Sequence, residues 1–313
     1  MKFQLKPIAI AVGIAHCLAS ANAMATAITI ANSVQATVNA SSGANSSNDN
    51  QGPASNVNAN ASASGFGGGL NSTSYAIGIA DISGYSNLAA AARGNVAGAT
   101  SQVSQYATIT NTSNTAQQFN FSFLFNAGYL IIPTFGAGDE ASYAADIKVN
   151  GISLWNTSFS ITSTSNGSSV IAETGASIGG CYVQQNCSNF FSGNDTSNQF
   201  PGSNGRYGFE EWIWSDFSSS VNLGTFNPGQ SFNFEYSLTA KSNIVGNYTC
   251  DSFGYGCAYA KIGDPNSISL SPINNKTITA TPATNQVPEP ASGALIGAGL
   301  AALAYRRRKT KQA

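Results

Sequence analysis

Four carboxylates and three aromatic side chains crowd one part of this chain. Glu210, Glu211, Asp216 and Glu235 lie near Tyr207, Trp212 and Trp214. Two carboxylates suffice for glycoside hydrolysis, one as acid and one as base or nucleophile. Glu210 and Glu211 are neighbours, so on a strand they point to opposite faces and cannot be that pair. Two of Glu210, Asp216 and Glu235 remain as the enzymatic alternative. Trp212 and Trp214 share a face with Glu210. On an open face the indoles make a saccharide platform; on a closed one they are core, the commoner fate of indole. The plain reading is a set of solvated acids flanking an aromatic core segment, so no catalytic residue is assigned and no enzyme is expected.

The other chemistry is sparse. The one histidine, His16, lies in the leader described below. Imidazole-dependent nucleophilic catalysis and His-containing zinc sites are therefore not expected of the mature chain. Cys181, Cys187, Cys250 and Cys257 remain after the leader is removed, an even number that reads as two disulfides in an exported protein. Short separations favour Cys181 with Cys187 and Cys250 with Cys257, and the crossed pairings stay open. The spacings do not suit zinc. Asp139, Glu140 and Asp146 lie close together and Asp264 sits in a turn. A structural calcium is compatible with them, but no EF-hand or repeat spacing fixes its ligands, so the metal stays unknown and no cofactor is expected. Gly67-Gly68-Gly69 lacks the lysine and helix of a phosphate loop.

Period-two alternation dictates the elements around these residues. Val34, Ala36 and Val38 alternate with Gln35, Thr37 and Asn39. Phe119, Phe121, Phe123 and Phe125 share one face. Phe232, Phe234, Tyr236 and Leu238 do the same. Such alternation puts one face on a core and one in water, as in antiparallel sheets. Asn150-Gly151, between Ile147/Val149 and Ile152/Leu154, predicts a type I′ hairpin. Asn227-Pro228-Gly229 and Gly263-Asp264-Pro265 predict further turns. Ala-rich Asn87–Ala92 has helix-forming composition, but strand or loop is favoured in so β-rich a chain. The expected fold is an all-β antiparallel sandwich or jelly roll. It spans residues 24–276, with a flexible Asn/Ser/Gly-rich stretch at 40–69 and a polar linker at 277–286.

The two ends carry addresses. Lys2 and Lys6, an apolar run from Ile8 to Ala19, and Ser20-Ala21-Asn22-Ala23 have the layout of a secretory signal peptide, residues 1–23, cleaved after Ala23. His16 stands where a lipoprotein signal needs a small residue, so Cys17 is not expected to be lipidated. At the other end come Pro288-Glu289-Pro290, an uncharged Ala/Gly/Leu run from Ala291 to Tyr305, and Arg306-Arg307-Arg308-Lys309. The 15 uncharged residues make about 22 Å of helix, short of a hydrocarbon core of about 30 Å. The basic cluster stays cytoplasmic. The pattern predicts a sorting and transmembrane tail at 287–313, inserted transiently rather than anchored for good. Residues 24–287 hold six basic and thirteen acidic groups, a formal charge of −7. That argues against a nucleic-acid partner.

Val287-Pro288-Glu289-Pro290, the apolar run and Arg306-Arg307-Arg308 together resemble the PEP-CTERM sorting domain of Gram-negative bacteria. The resemblance implies recognition by an exosortase, a membrane-embedded cysteine transpeptidase. It also implies transient residence in the inner membrane and release to the cell surface or matrix, with links to extracellular polysaccharide and biofilm. The expected passenger is a structural, adhesive or saccharide-binding protein; the alternative is a secreted carboxylate-dependent carbohydrate-active enzyme.

Overall fold

The computed structural model describes residues 28–67, 70–81, 86–133, 137–166, 168–182, 209–247, 258–262 and 277–283. These form seventeen strands: β1 (Ile28–Ser42), β2 (Asn45–Ala54), β3 (Asn56–Gly67), β4 (Leu70–Asp81), β5 (Ser86–Arg93), β6 (Asn95–Asn111), β7 (Gln117–Phe125), β8 (Gly128–Pro133), β9 (Glu140–Val149), β10 (Ile152–Ser163), β11 (Ser169–Gly175), β12 (Cys181–Tyr182), β13 (Phe209–Trp214), β14 (Phe217–Phe226), β15 (Ser231–Asn247), β16 (Ala258–Ile262) and β17 (Thr277–Pro282). All pairings between them are antiparallel.

Three sheets make a sandwich-like arrangement. Sheet A has the order β11-β10-β9-β15-β6-β1-β2, sheet B has β12-β13-β8-β16-β5-β4-β3, and sheet C has β14-β7-β17. Sheets A and B face each other strand against strand, β1 on β3, β6 on β4, β15 on β5 and β9 on β16. Sheet C covers one end of the inner face of sheet A through aromatic contacts between β7 and β15.

The interior has two regimes. At the β1–β6 end the facing side chains are mostly alanine: Ala36, Ala40, Ala59, Ala61, Ala76, Ala90, Ala92 and Ala99 are buried. Such small side chains let the sheets approach closely. Ser74 Oγ donates to the main-chain carbonyl of Ser41 at 2.8 Å, and Ser42 Oγ meets Ser72 Oγ at 2.6 Å. A hydroxyl one bond beyond Cβ thus spans the gap. At the other end the filling is aromatic. Phe119 packs on Phe226 and Phe232, and Phe121 packs on Phe123, Phe234 and Tyr236.

Several expectations are met here. Phe119–Phe125 alternates buried and half-buried without a break. Asn150 and Gly151 both have positive φ, 51° and 81°, as a type I′ turn requires. Asn87–Ala92 lies inside β5, a strand. The Asn227-Pro228-Gly229 turn is present, but it joins β14 of sheet C to β15 of sheet A and crosses between layers. The turn at 263–265 lies outside the described residues.

Four expectations are corrected. The stretch at 40–69, read as flexible, carries the end of β1, a turn, β2 and all of β3. The linker at 277–286 begins with β17, which pairs with β7. Among the described residues no helix is long and apolar enough to cross a membrane. The described structure therefore contains no transmembrane helix, and residues 287–313 lie outside it. Among the described residues the expected pair of disulfides is not present. Cys181 alone of the four cysteines is described; it is disulfide-bonded, and no bond joins two described cysteines. Residues 1–27, with Ala23, also lie outside.

Candidate functional site

The residues singled out in the sequence do not converge. β13 places Glu210, Trp212 and Trp214 on the inner face of sheet B, because it pairs with β8 with Glu210 opposite buried Ile132. Trp214 is 2% exposed and belongs to the core. Its ring lies 4.7 Å from that of Tyr143, and Trp212 stacks on Phe159 at 4.5 Å. Gly128 and Gly180 leave the space these indoles fill, since a Cβ at either would run into the ring. Of the two alternatives for Trp212 and Trp214, saccharide platform or core, their ring contacts are those of core packing. Burial also holds the Glu210 carboxyl above the usual range.

The other acids lie elsewhere. Glu211 is buried on the outer face of sheet B. Asp216 is exposed and accepts the Ala127 N–H at 2.8 Å. Glu235 is on the outer face of sheet A. Asp139 is fully buried and accepts the Val245 N–H at 2.8 Å. Glu140 pairs with Lys241 at 2.9 Å, and Asp146 pairs with Lys148 at 3.4 Å. Among the described residues no three such side chains are grouped to hold a metal. Asp264 lies outside them.

What the structure does assemble is a broad polar wall, the outer face of sheet A. Its cross-strand rows follow from the pairing register. One row runs across all seven strands as Asn50, Thr37, Gln102, Thr239, Ala144, Ser158 and Thr174. The next runs Asn48, Asn39, Thr100, Lys241, Ser142 and Ser160. These residues are the polar half of the alternating strands, so each hydroxyl and amide is set out at the strand spacing of about 4.8 Å. The wall is partly knitted to itself. Thr37 Oγ1 and Gln35 Nε2 both donate to Asn50 Oδ1 at 3.2 Å, and Thr108 Oγ1 donates to Asn233 Oδ1 at 3.2 Å.

Two features break its flatness. Tyr106, 37% exposed, stands beside Glu235 and Ser33 in the cross-strand register. Lys148 bridges Glu235 at 3.3 Å and Asp146 at 3.4 Å. Burial alone would lower the Lys148 ammonium, but the hydrogen bond and attraction from Glu235, then those from Asp146, raise it. Towards the other end lies a groove of about 320 Å³, lined among others by Asn39, Asn48, Thr100, Lys241 and Asn243. Gly98 forms part of it. A Cβ there would sit 3.2 Å from Asn243 Oδ1 and 3.3 Å from Ser41 Oγ.

Sequence reasoning missed this wall because it attended to the apolar half of each strand. The signal was present as the partners of that half: Thr37, Thr239, Ser142 and Ser158. It also missed a tyrosine cluster on the outer face of sheet B. Tyr129 stacks on Tyr259 at 5.2 Å, and the Tyr75 hydroxyl meets that of Tyr259 at 3.3 Å. Burial, with neighbouring Tyr129 and Tyr75, pushes the Tyr259 phenol well up.

The fold is therefore an all-β antiparallel, sandwich-like one with a polar face. Residues 286–309 match the PEP-CTERM protein-sorting motif. No curated protein and no solved structure matches the chain. The chain is an exported sandwich-like β protein carrying that motif, which implies processing by an exosortase-family enzyme and a final place at the cell surface or outside the cell.

Proposed function

We propose that this protein is a non-catalytic component of the cell surface or extracellular matrix, held there through the outer face of sheet A. Its tail, residues 287–313, is inserted transiently in the inner membrane and read at Pro288-Glu289-Pro290 by an exosortase-type transpeptidase. The observation that carries the passenger's role is the seven-strand row from Asn50 to Thr174. Regular neutral donors and acceptors, with Tyr106 as an aromatic surface for a pyranose ring, suit an extended polysaccharide. Of the three candidate acids, Glu210 is on the inner face of sheet B, Glu235 is on the outer face of sheet A, and Asp216 is exposed and holds the Ala127 N–H; this supports binding over carboxylate catalysis, which needs two acids about 5 to 9.5 Å apart across one cleft.

Two measurements test this reading. Changing Pro288, Glu289 and Pro290 to Ala in the native host is expected to leave full-length protein in the membrane and deplete the processed form, read by intact mass and fractionation. Unchanged mass and distribution would reject the sorting step. Tyr106→Ala is expected to weaken retention on the purified matrix polysaccharide of the host about fivefold, the scale of one aromatic contact of about 1 kcal/mol. Equal retention of the two proteins would reject the wall as the binding face.

A further inference from the structure

We infer that the outer face of sheet B carries a site of oxidative cross-linking, where the phenols of Tyr75 and Tyr259 are joined ring to ring as a dityrosine. The inference does not depend on the ligand proposed above.

Register brings the two rings together. Tyr75 on β4 and Tyr259 on β16 both stand opposite Ala91 of β5, so the three side chains form one cross-strand row. Strands two apart are separated by about 10 Å, too far for rings that stand upright. A methyl group at the middle position leaves room above it. The rings lean over Ala91, which is buried, and their centroids come within 6.3 Å at an angle of 62°. The hydroxyls then meet, with Tyr75 donating to the Tyr259 oxygen at 3.3 Å. A larger residue at position 91 would hold the rings apart. Tyr259 is fixed from its other side, where it stacks on Tyr129 of β8 at 5.2 Å. Both belong to a small apolar cluster that also holds Ile131 and Ile213.

The two phenols differ in the way such a coupling needs. Tyr75 is 36% exposed and open to an oxidant in solution, whereas Tyr259 is 6% exposed. Burial first, then neighbouring Tyr129 and Tyr75, push the Tyr259 phenol well up. It is therefore protonated at neutral pH and gives up an electron together with its proton. The Tyr75 oxygen is placed to accept that hydrogen.

The step balances as follows from the chemistry of phenols. Removal of one hydrogen atom from the Tyr75 hydroxyl leaves a phenoxyl radical whose oxygen faces the Tyr259 hydroxyl. The Tyr259 hydrogen crosses to it. A second oxidation of Tyr75 then leaves a radical on each ring. The unpaired electrons are shared with the carbons ortho to the oxygens, and two such carbons form one C–C bond. The two ring hydrogens at that bond leave as protons and return to the oxygens, which restores both phenols. The oxidant is hydrogen peroxide acting through a haem peroxidase. It takes two hydrogen atoms in all and ends as two molecules of water.

Tyr106 serves as the internal comparison. It is exposed to a similar degree, 37%, but its register neighbours on sheet A are Ser33 and Glu235, which carry no ring. Coupling at Tyr106 therefore needs a second molecule. A bridge between Tyr75 and Tyr259 instead joins positions 184 residues apart in one chain. Like a disulfide across a long loop, it removes freedom from the unfolded chain, and it ties β4 to β16 over β5.

The test is to treat the exported protein, in dilute solution, with hydrogen peroxide and a haem peroxidase. Free tyrosine coupled in a parallel mixture shows that the oxidant is active. The expected product is a monomer lighter by two hydrogens, with dityrosine fluorescence and a digest in which the peptides of Tyr75 and Tyr259 are joined. Its yield per molecule should not fall on further dilution. Tyr75→Phe and Tyr259→Phe each remove the hydroxyl hydrogen that must be abstracted and should abolish the product. Tyr106→Phe should leave it unchanged and remove products that join two molecules. Circular dichroism establishes that each variant is folded. No joined peptide from the wild-type protein where free tyrosine couples, a bridge from Tyr75 to a residue other than Tyr259, or a yield that Tyr75→Phe leaves intact would each overturn the inference.

Discussion

Replacing Gln51 tests whether residues 40–69 are held as strands or merely drift beside the sandwich. In the structure the Gln51 amide makes two bonds to the Asn58 main chain, at 2.8 and 3.0 Å, and a third to Asp49 Oδ2 at 3.0 Å. A net hydrogen bond contributes about 0.5–1.5 kcal/mol. The Asn58 groups are near water and can be rehydrated, so Gln51→Ala is expected to cost about 1–2 kcal/mol rather than the full sum. At a urea m-value of about 3 kcal/mol/M, the midpoint falls by about 0.3–0.7 M. Gln51→Glu is a sharper probe. It keeps an acceptor for the Asn58 N–H, but loses the donors to the Asn58 carbonyl and to Asp49, and sets a second carboxylate against Asp49. At pH 7 it should be more destabilising than Gln51→Ala. The added penalty should shrink as pH falls through about 4, where a model glutamate takes up its proton. Amide exchange at Asn58 and Asn60 gives the local readout, with both protected in the parent and fast in the variants. An unchanged urea midpoint together with fast exchange at Asn58 in the parent would refute these bonds and restore the flexible reading.

Other consequences are expected. Phe121→Ala removes a buried ring that touches Phe123, Phe234 and Tyr236 and should cost about 3–5 kcal/mol, read by chemical denaturation. Gly128→Ala should cost about 2–3 kcal/mol or more, because its Cβ would collide with the Trp214 ring and lie 2.5 Å from the Lys261 carbonyl oxygen; a neutral result would show that the indole has room to move. Tyr143, Tyr236 and Tyr259 have phenols raised above the usual value, in each case first by burial. The folded state keeps these protons while the unfolded chain loses them from about pH 10. Stability from this source is complete below pH 10 and declines above it. An alkaline titration at 295 nm should show these phenols ionising only as the protein unfolds, whereas smooth ionisation in the folded state would contradict their burial. Retention on matrix polysaccharide should survive 0.5 M NaCl, since the charges on the wall, Lys148 with Asp146 and Glu235 and Lys241 with Glu140, are paired with one another; release by salt alone would mean that charge, not the hydroxyl rows, does the holding.

The elements legible in the sequence are those whose buried half is large. Phe119–Phe125 and Phe232–Leu238 announce their faces, and Asn150-Gly151 announces its turn, because the residues needed are distinctive. β3 has the same period, with Val57, Ala59, Ala61 and Ala63 buried. Its alternation is between alanine and asparagine or serine, and a methyl group is a faint signal of an interior. β2 has no buried residue at all. It is a strand because its main chain pairs with β1, and Asp49 and Gln51 tie it to β3 across the edge; nothing in its own residues announces either partner. Trp212 and Trp214 were legible as a pair on one face. Which face was not, because the answer rests on Gly128 and Gly180, remote in sequence from one or both indoles. The Asn227-Pro228-Gly229 turn was visible for a related reason, and the change of sheet across it was not. Turn chemistry is local, while the partners of β14 and β15 lie about a hundred residues away.

The scarcity of charge then acquires a structural meaning. Where surface lysines commonly keep strand edges apart, this molecule uses the amides of Asn45 and Gln51 and the carboxylate of Asp49 turned inward onto a neighbouring backbone. Where a binding face commonly carries charge, it sets out Thr, Ser, Asn and Gln. Interactions made by neutral hydrogen bonds are short-ranged and little affected by ionic strength, whereas exposed charges fade within a Debye length of about 10 Å at 0.1 M salt. Outside the cell, ionic strength is not under the cell's control. A surface built this way holds its contacts as the medium changes. The cost is that its edges are protected only where a particular side chain reaches a particular peptide group.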